Sequence, residues 1–282
     1  MRPLRRSSRC CSRSSSSTRS SPTSFPCWIG DVARVLSVRD VAIGYGDEVL
    51  LDELSFDVQR GEVFAILGGS GCGKSTLLRT LIGLQPPLQG RVHFTGIGPP
   101  ARAMEPPAFG VLFQSSALFG SSTLLQNVML PLQKWTRLPA DAVAAVALAR
   151  LRILGLERFA HHLPSEVSGG MRKRAGIARA LALDPPILFF DEPSAGLDPV
   201  TSADLDEVIL LLARDLGVTI VLVTHELPSI LHVADQCIML DRAAGGIIAR
   251  GAPRELAERS ADARVQGFFR RQATNARGGH GA

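Results

Sequence analysis

The chain has 282 residues, 45% of them hydrophobic and 20% charged, which is globular in character and enough for one large α/β domain or two small ones. Its formal charge of +5 does not mark a nucleic-acid-binding domain, and no nucleic-acid partner is expected. The surplus sits in Arg2, Arg5, Arg6, Arg9, Arg13 and Arg19, ahead of the first acid, Asp31, and the remainder is close to neutral.

Residues 1–33 are rich in serine and arginine with little to bury, a composition that predicts a disordered tail. It lacks the apolar stretch of a secretory signal. A transit peptide or an anionic-membrane tether would fit the arginines; the plainer expectation is a dispensable segment, or a start codon placed too far upstream. Cys10, Cys11, Cys27, Cys72 and Cys237 are odd in number and show no C-x-x-C spacing, so neither a zinc site nor a disulfide framework is expected. No apolar run approaches the ~18 residues of a membrane span, which would put any spanning part of the function on a separate chain.

Ordered structure is predicted from about Val35. Leu36–Val41 and Leu54–Val58 read as half-buried strands around a turn at Gly44-Tyr45-Gly46-Asp47. Val63–Leu67 is an apolar run of strand length, followed by a glycine-rich turn and a helix from Thr76 to Ile82. Further strands are predicted at Arg91–Thr95, Gly110–Phe113, Ile187–Phe190, Val218–Val223, Gln236–Leu240 and Ile247–Arg250. Ile187–Phe190 and Val218–Val223 are apolar without alternation, the mark of strands buried on both faces of a parallel sheet. From about 115 to 182 the chain turns helical, with helices at Asp141–Leu154 and Met171–Leu183, the latter stopped by Pro185-Pro186.

The glycine-rich turn reads Gly68-Gly69-Ser70-Gly71-Cys72-Gly73-Lys74-Ser75, a complete phosphate-binding loop between a strand and a helix. Its backbone N–H groups and the helix N-terminus can hold the phosphates of a nucleoside triphosphate. Lys74 is placed to reach the terminal phosphates and Ser75 to ligate Mg²⁺. Asp191 and Glu192 follow a buried strand. Asp191 is assigned to Mg²⁺ and Glu192 to polarising the attacking water. Ser168, the expected N-cap, opens a helix with Gly169 and Gly170, which makes a second anion site and implies two copies sharing each nucleotide. Cys72, beside a helix N-terminus, is expected to be a reactive thiol that bound ATP protects. His161 and His162 are expected to face solvent.

The order of these motifs resembles the ATP-binding subunit of an ABC transporter over roughly residues 35–252. The matching pieces are Tyr45 (adenine-stacking aromatic), Gly68–Ser75 with Thr76 (Walker A), Gln114 (Q-loop), Ser168-Gly169-Gly170-Met171 (signature), Phe190-Asp191-Glu192 (Walker B and catalytic glutamate), Ser194-Ala195-Gly196-Leu197-Asp198 (D-loop) and His225 (switch histidine). The resemblance implies an α/β P-loop NTPase core of the RecA-like type, with an antiparallel β subdomain and an α-helical subdomain. It divides the chain into the tail, an ATPase domain at 34–252 with the helical subdomain at about 115–182, and a C-terminal helical extension and tail at 253–282. It implies ATP and Mg²⁺ as ligands. Lys74, Glu192 and His225 would be catalytic, Ser75, Gln114 and Asp191 would ligate the metal, and Asp198 and the signature would contact the partner's nucleotide.

The family signature commonly ends in glutamine; here Met171 precedes Arg172-Lys173-Arg174. That string resembles the Mla/MCE-type subgroup of lipid transporters, as do the segments at Leu112–Phe119, Asn127-Val128 with Pro131-Leu132, and Phe268-Phe269-Arg270. The resemblance implies a head-to-tail dimer, an integral membrane permease, an MCE-domain lipid-binding protein and a STAS-domain partner, at the cytoplasmic face of the inner membrane. An importer of amino acids or another small solute is the alternative. A permease-free ABC ATPase of DNA repair or translation would need a long coiled-coil insert or a second ATPase half.

Overall fold

The structure, a computed structural model, describes residues 34–100 and 106–278, with side chains described as far as Arg270. The expectations for residues 1–33 lie outside the described residues. Strands β1 (Arg34–Tyr45) and β2 (Glu48–Gln59) form a long antiparallel hairpin, joined at the other edge of β1 by β4 (Gln89–Phe94). Both hairpin strands run further than the sequence pattern predicts. Asp40 and Glu53 take left-handed φ values of 49° and 51°, and the pairing register shifts between Val38 and Val41. An irregularity of this kind carries a strand past a point where apolar alternation fails. Ser55 Oγ receives the Asp40 N–H at 2.7 Å and donates to the Asp40 carboxylate at 2.9 Å, which holds the kink.

The larger sheet has the order β5-β6-β7-β3-β8-β9. Its strands are β3 (Val63–Gly68), β5 (Phe109–Leu112), β6 (Ile187–Asp191), β7 (Thr219–Val223), β8 (Gln236–Asp241) and β9 (Gly246–Gly251). All pair in parallel except β9, which closes one edge antiparallel to β8. β3 and β7 are buried throughout and β6 up to Asp191, which is why their sequences show no alternation.

Alternate side chains serve opposite faces. Phe64 and Ile66 meet the antiparallel sheet and α1 (Lys74–Leu81), with Phe189, Val221 and Val223 alongside. Ala65 and Leu67 meet the C-terminal helices α6 (Leu227–Val233), α7 (Pro253–Arg259) and α8 (Ala263–Gly278). Leu188, Phe190, Ile220 and Leu222 share a core with α2 (Leu124–Trp135), α3 (Ala140–Ile153), α4 (Gly169–Ala180) and α5 (Pro199–Leu210). An aromatic trio ties the two sheets together. Phe94 stacks on Phe109 at 5.5 Å and Phe109 meets Phe189 edge-on at 5.6 Å, contacts worth ~0.5–1.5 kcal/mol each beyond their burial.

Helices α5 and α6 are not delimited by the sequence pattern, which shows only an apolar run at Val208–Ala213. α5 buries Leu205, Asp206, Ile209 and Leu210 on one side, but a charged residue sits on that inward face, Val200 is exposed, and the helix passes into a single π-turn at Leu211–Asp215, so the sequence shows no clean helical period. Among the described residues, no helix is long and apolar enough to cross a membrane.

α2, α3 and α4 lie between β5 and β6 and pack against one another. The entry into α2 is fixed by a capping box between Thr123 and Gln126 and by Asn127, which is fully buried. Asn127 Nδ2 donates to the carbonyls of Phe119, Ser122 and Thr123 at 3.0–3.1 Å, and its Oδ1 accepts from the Phe119 N–H at 2.8 Å. Replacement by leucine takes the side-chain partner from the Phe119 N–H and the Ser122 carbonyl, while the Phe119 and Thr123 carbonyls keep only the N–H groups of Ser122 and Asn127. Asn127→Leu is expected to cost about 2–4 kcal/mol, seen as a lower guanidinium midpoint with unchanged slope; a loss below about 1 kcal/mol would contradict this role.

Candidate functional site

The phosphate loop is held open by two glycines. A Cβ on Gly68, whose φ is 149°, would stand 2.6 Å from the Leu240 carbonyl oxygen and 2.5 Å from Cys72 Sγ. Gly73, at φ 107°, turns the chain into α1 and would meet Leu50 and Leu51 at about 3 Å if it carried a side chain. Lys74 lies across the loop, its ammonium donating to the carbonyls of Gly68 and Gly69 at 2.9 Å each. Anion-accepting N–H groups of α1 and this ammonium therefore face the same space.

That space is a cavity of about 1140 Å³. Its walls bring together Tyr45, residues 68–71 and 73–76, Gln114, Glu192 and His225. Tyr45 ends β1 and is 57% exposed, while its hydroxyl pairs with Thr76 Oγ1 at 2.9 Å. This exposure leaves the residue open to a planar partner. Asp241, Arg242, Arg264 and Phe268 line the cavity as well. Only Phe268 among these stands out in the sequence. Asp241 ends β8 and Arg242 follows it, and α8 brings Arg264 and Phe268 over the core.

Asp191 ends β6 beside this cavity. Its Oδ1 is buried and has no hydrogen-bond partner. Burial first, and the neighbouring Glu192 second, push the Asp191 carboxyl above its ordinary range, against Arg79, Lys74 and Lys173. Glu192 sits at φ 46°, with its N–H bonded to the Val223 carbonyl at 2.8 Å and its carboxylate 2.9 Å from His225 Nδ1. A non-glycine residue held in this region is costly and is over-represented at functional sites.

The remaining predicted residues are elsewhere. Ser168 caps α4, accepting the Met171 N–H at 3.2 Å, and Asp198 caps α5, accepting from the N–H groups of Val200 and Thr201. The two helix starts are in contact. A Cβ on Gly170 would lie 2.3 Å from Thr201 Cγ2, and one on Gly169 would lie 3.2 Å from Leu197. Ser168, Gly169, Gly170 and Asp198 therefore form a second patch, outside the cavity walls. His161 and His162 are exposed.

Residues 51–195 match the family model described as ABC transporter. The chain is 39% identical over 244 residues to the intermembrane phospholipid transport system ATP-binding protein MlaF of Escherichia coli K12, covering 84% of this chain and 89% of that protein. The Haemophilus influenzae MlaF is 35% identical over 84% of this chain. The chain belongs to the ABC transporter family, as an ATP-binding protein.

The probable ribonucleotide transport ATP-binding protein mkl of Mycobacterium tuberculosis is a further relative of this cassette, 37% identical over 79% of this chain and 62% of that one. Among solved structures, the dimeric post-hydrolysis state of the cassette MJ0796 bound to ADP and Pi superposes with a TM-score of 0.68 at 30% identity, over 77% of this chain and 98% of that one. The domain is thus an ABC-type ATPase, coupling ATP hydrolysis to transport. Its parallel core sheet, antiparallel β subdomain and helices are the fold of that family, whose cassettes dimerise and pair with permeases.

One expectation for the cassette is overturned. Cys72 is not a reactive thiol: its side chain is 4% exposed and packed with Leu77, Leu78 and Leu240 beneath the loop. Burial raises its pKa, outweighing the pull of Lys74 and of the loop N–H groups, so the thiolate is scarcer than in a free cysteine. Cys237 is likewise buried and pushed up to about 12. In a variant with Cys10, Cys11 and Cys27 changed to serine, maleimide labelling at neutral pH is expected to be at least ~10-fold slower folded than unfolded. Labelling of the folded chain at the rate of a free thiol, blocked by ATP, would contradict it.

Proposed function

We propose that this cassette powers phospholipid transport between envelope membranes through a separate permease, at the cytoplasmic face of the inner membrane. The observation that carries the cargo assignment is the likeness to MlaF, which runs through nearly the whole length of that protein. In this reading the partners are a second copy of the chain, an integral membrane permease, an MCE-domain lipid-binding protein and a STAS-domain protein. The likeness to mkl favours ribonucleotide cargo as the competing reading, but it covers a smaller share of that relative.

In the proposed mechanism, Tyr45 stacks on the base, while Lys74 and the N–H groups of residues 69–76 hold the β- and γ-phosphates. Ser75, Gln114 and Asp191 would hold Mg²⁺. The buried, unpartnered Asp191 oxygen fits a hard divalent cation, which would supply the partner it lacks and favour its ionised form. A cation held by these residues would supply charge neutralisation for the phosphoryl transfer. Glu192 accepts a hydrogen bond from the attacking water and polarises it, and His225, 2.9 Å away, orients the carboxylate. Ser168, Gly169, Gly170 and Asp198 complete the site of the other copy, with the N-terminus of α4 facing its γ-phosphate.

The decisive experiment is reconstitution of the cassette with its copurifying membrane partners between donor and acceptor vesicles. ATP-dependent movement of labelled phospholipid is expected, and Glu192→Gln should abolish it, with a fall in turnover of at least ~100-fold and ATP binding retained. Movement of a ribonucleotide and not of lipid would contradict the cargo. Near-normal turnover in Glu192→Gln would contradict the assignment of the carboxylate.

A further inference from the structure

Lys173 is a buried charge that the mechanism above does not use. It lies on α4, five residues after Ser168, and is 5% exposed. The periodicity of α4 places it on the inward face with Gly170 and Ile177. A methionine would fill that position without the cost of desolvating an ammonium group. Its partners show what the charge contributes. Lys173 Nζ donates to the Gln114 carbonyl at 2.6 Å and, more loosely, to the Glu192 carbonyl at 3.4 Å.

These two carbonyls belong to segments that are far apart in the chain. Gln114 follows β5, and Glu192 follows β6 in the left-handed conformation. Asp191, Glu192 and Glu226 surround the lysine electrostatically. Each polar group of Glu192 is held: Val223 takes the N–H, Lys173 and the Ala195 N–H share the carbonyl, and His225 meets the carboxylate. Only the lysine belongs to the helix that opens with the signature.

We propose that Lys173 is a positioning residue for ATP hydrolysis, a strut by which the seating of the signature helix sets the place of Gln114 and of the Glu192 backbone. It does not line the nucleotide cavity. It acts through Glu192, and so rests on the reading of that carboxylate as the group that polarises water. A tilt of α4, such as docking of a second copy against Ser168 would produce, moves the Glu192 backbone through this side chain, beside the Gly169–Leu197 packing and the Arg179 bonds to the Ser116 and Ala117 carbonyls. Hydrolysis in one site is thereby made sensitive to the state of the signature that serves the other.

The test compares Lys173→Met, Lys173→Arg and Glu192→Gln in the full-length chain with its copurifying membrane subunits. Steady-state ATPase, equilibrium ATP binding and the thermal midpoint are measured for each. Lys173→Met is expected to lower kcat by ~10-fold or more, with ATP affinity changed by less than ~3-fold. Lys173→Arg, which keeps the charge and the donors, should recover most of the loss. If Lys173→Met does not fold, Lys173→Gln, with a donor on a shorter reach, is judged by the same split.

Unchanged kcat in a folded variant, while Glu192→Gln is inactive, would overturn the strut and leave the role of Glu192 standing. A fall in ATP affinity equal to the fall in kcat, or a loss that follows the folded fraction, would also overturn it. Full turnover in Glu192→Gln removes the reading beneath it.

Discussion

The burial of β6, β7 and β3 side by side is the constraint on which the rest depends. A parallel sheet covered on both faces admits only apolar strand interiors, so polar chemistry is confined to the strand ends. The register aligns those ends. Asp191 pairs with Val223, Ile66 with Val223 and Gly68 with Leu240. The phosphate loop, the two acids and the Thr224-His225 segment therefore leave the sheet at one edge, in line with the rule that ligands bind outside the carboxyl ends of such strands.

That arrangement explains the electrostatics of the site. The core imposes desolvation on the Asp191 carboxyl, and no protein group satisfies its inner oxygen. The loop presents positive charge and N–H dipoles to the same space. A site with unmet demand for both a cation and an anion is matched to a metal–phosphate ligand. Glu192, held at φ 46° between Val223, Ala195, Lys173 and His225, is the strained residue of the group. The signature patch is built differently. It consists of two helix N-termini pressed together at Gly169, Gly170, Leu197 and Thr201, so close that a side chain on Gly170 would clash.

Much of this was legible in the sequence because each element has a local cause. Gly68 and Gly73 are required by backbone geometry, Ser168 and Asp198 by capping, and the strand of Ile187–Phe190 by uninterrupted apolar character. What was not legible arises from tertiary contact. The kink at Asp40 that extends the hairpin depends on Ser55 from the neighbouring strand. Cys72 looks activated from its place beside a helix N-terminus, yet it is buried in the core, where desolvation outweighs Lys74 and the loop N–H groups. Lys173 reads as one more cation in a basic string, although the helical period already placed it inward. Arg242 and Arg264 reach the cavity from β8 and α8, which no local pattern connects to the loop.

The central claim is that a complete site needs two chains, because the signature patch lies outside the cavity of its own chain. The most direct measurement is specific ATPase activity across a dilution series, with mass followed by light scattering and Ser168→Arg run in parallel. The account predicts specific activity that rises with chain concentration as dimers form, and none in Ser168→Arg, whose ATP binding persists. Hydrolysis by a monomer at a specific activity independent of concentration would contradict it.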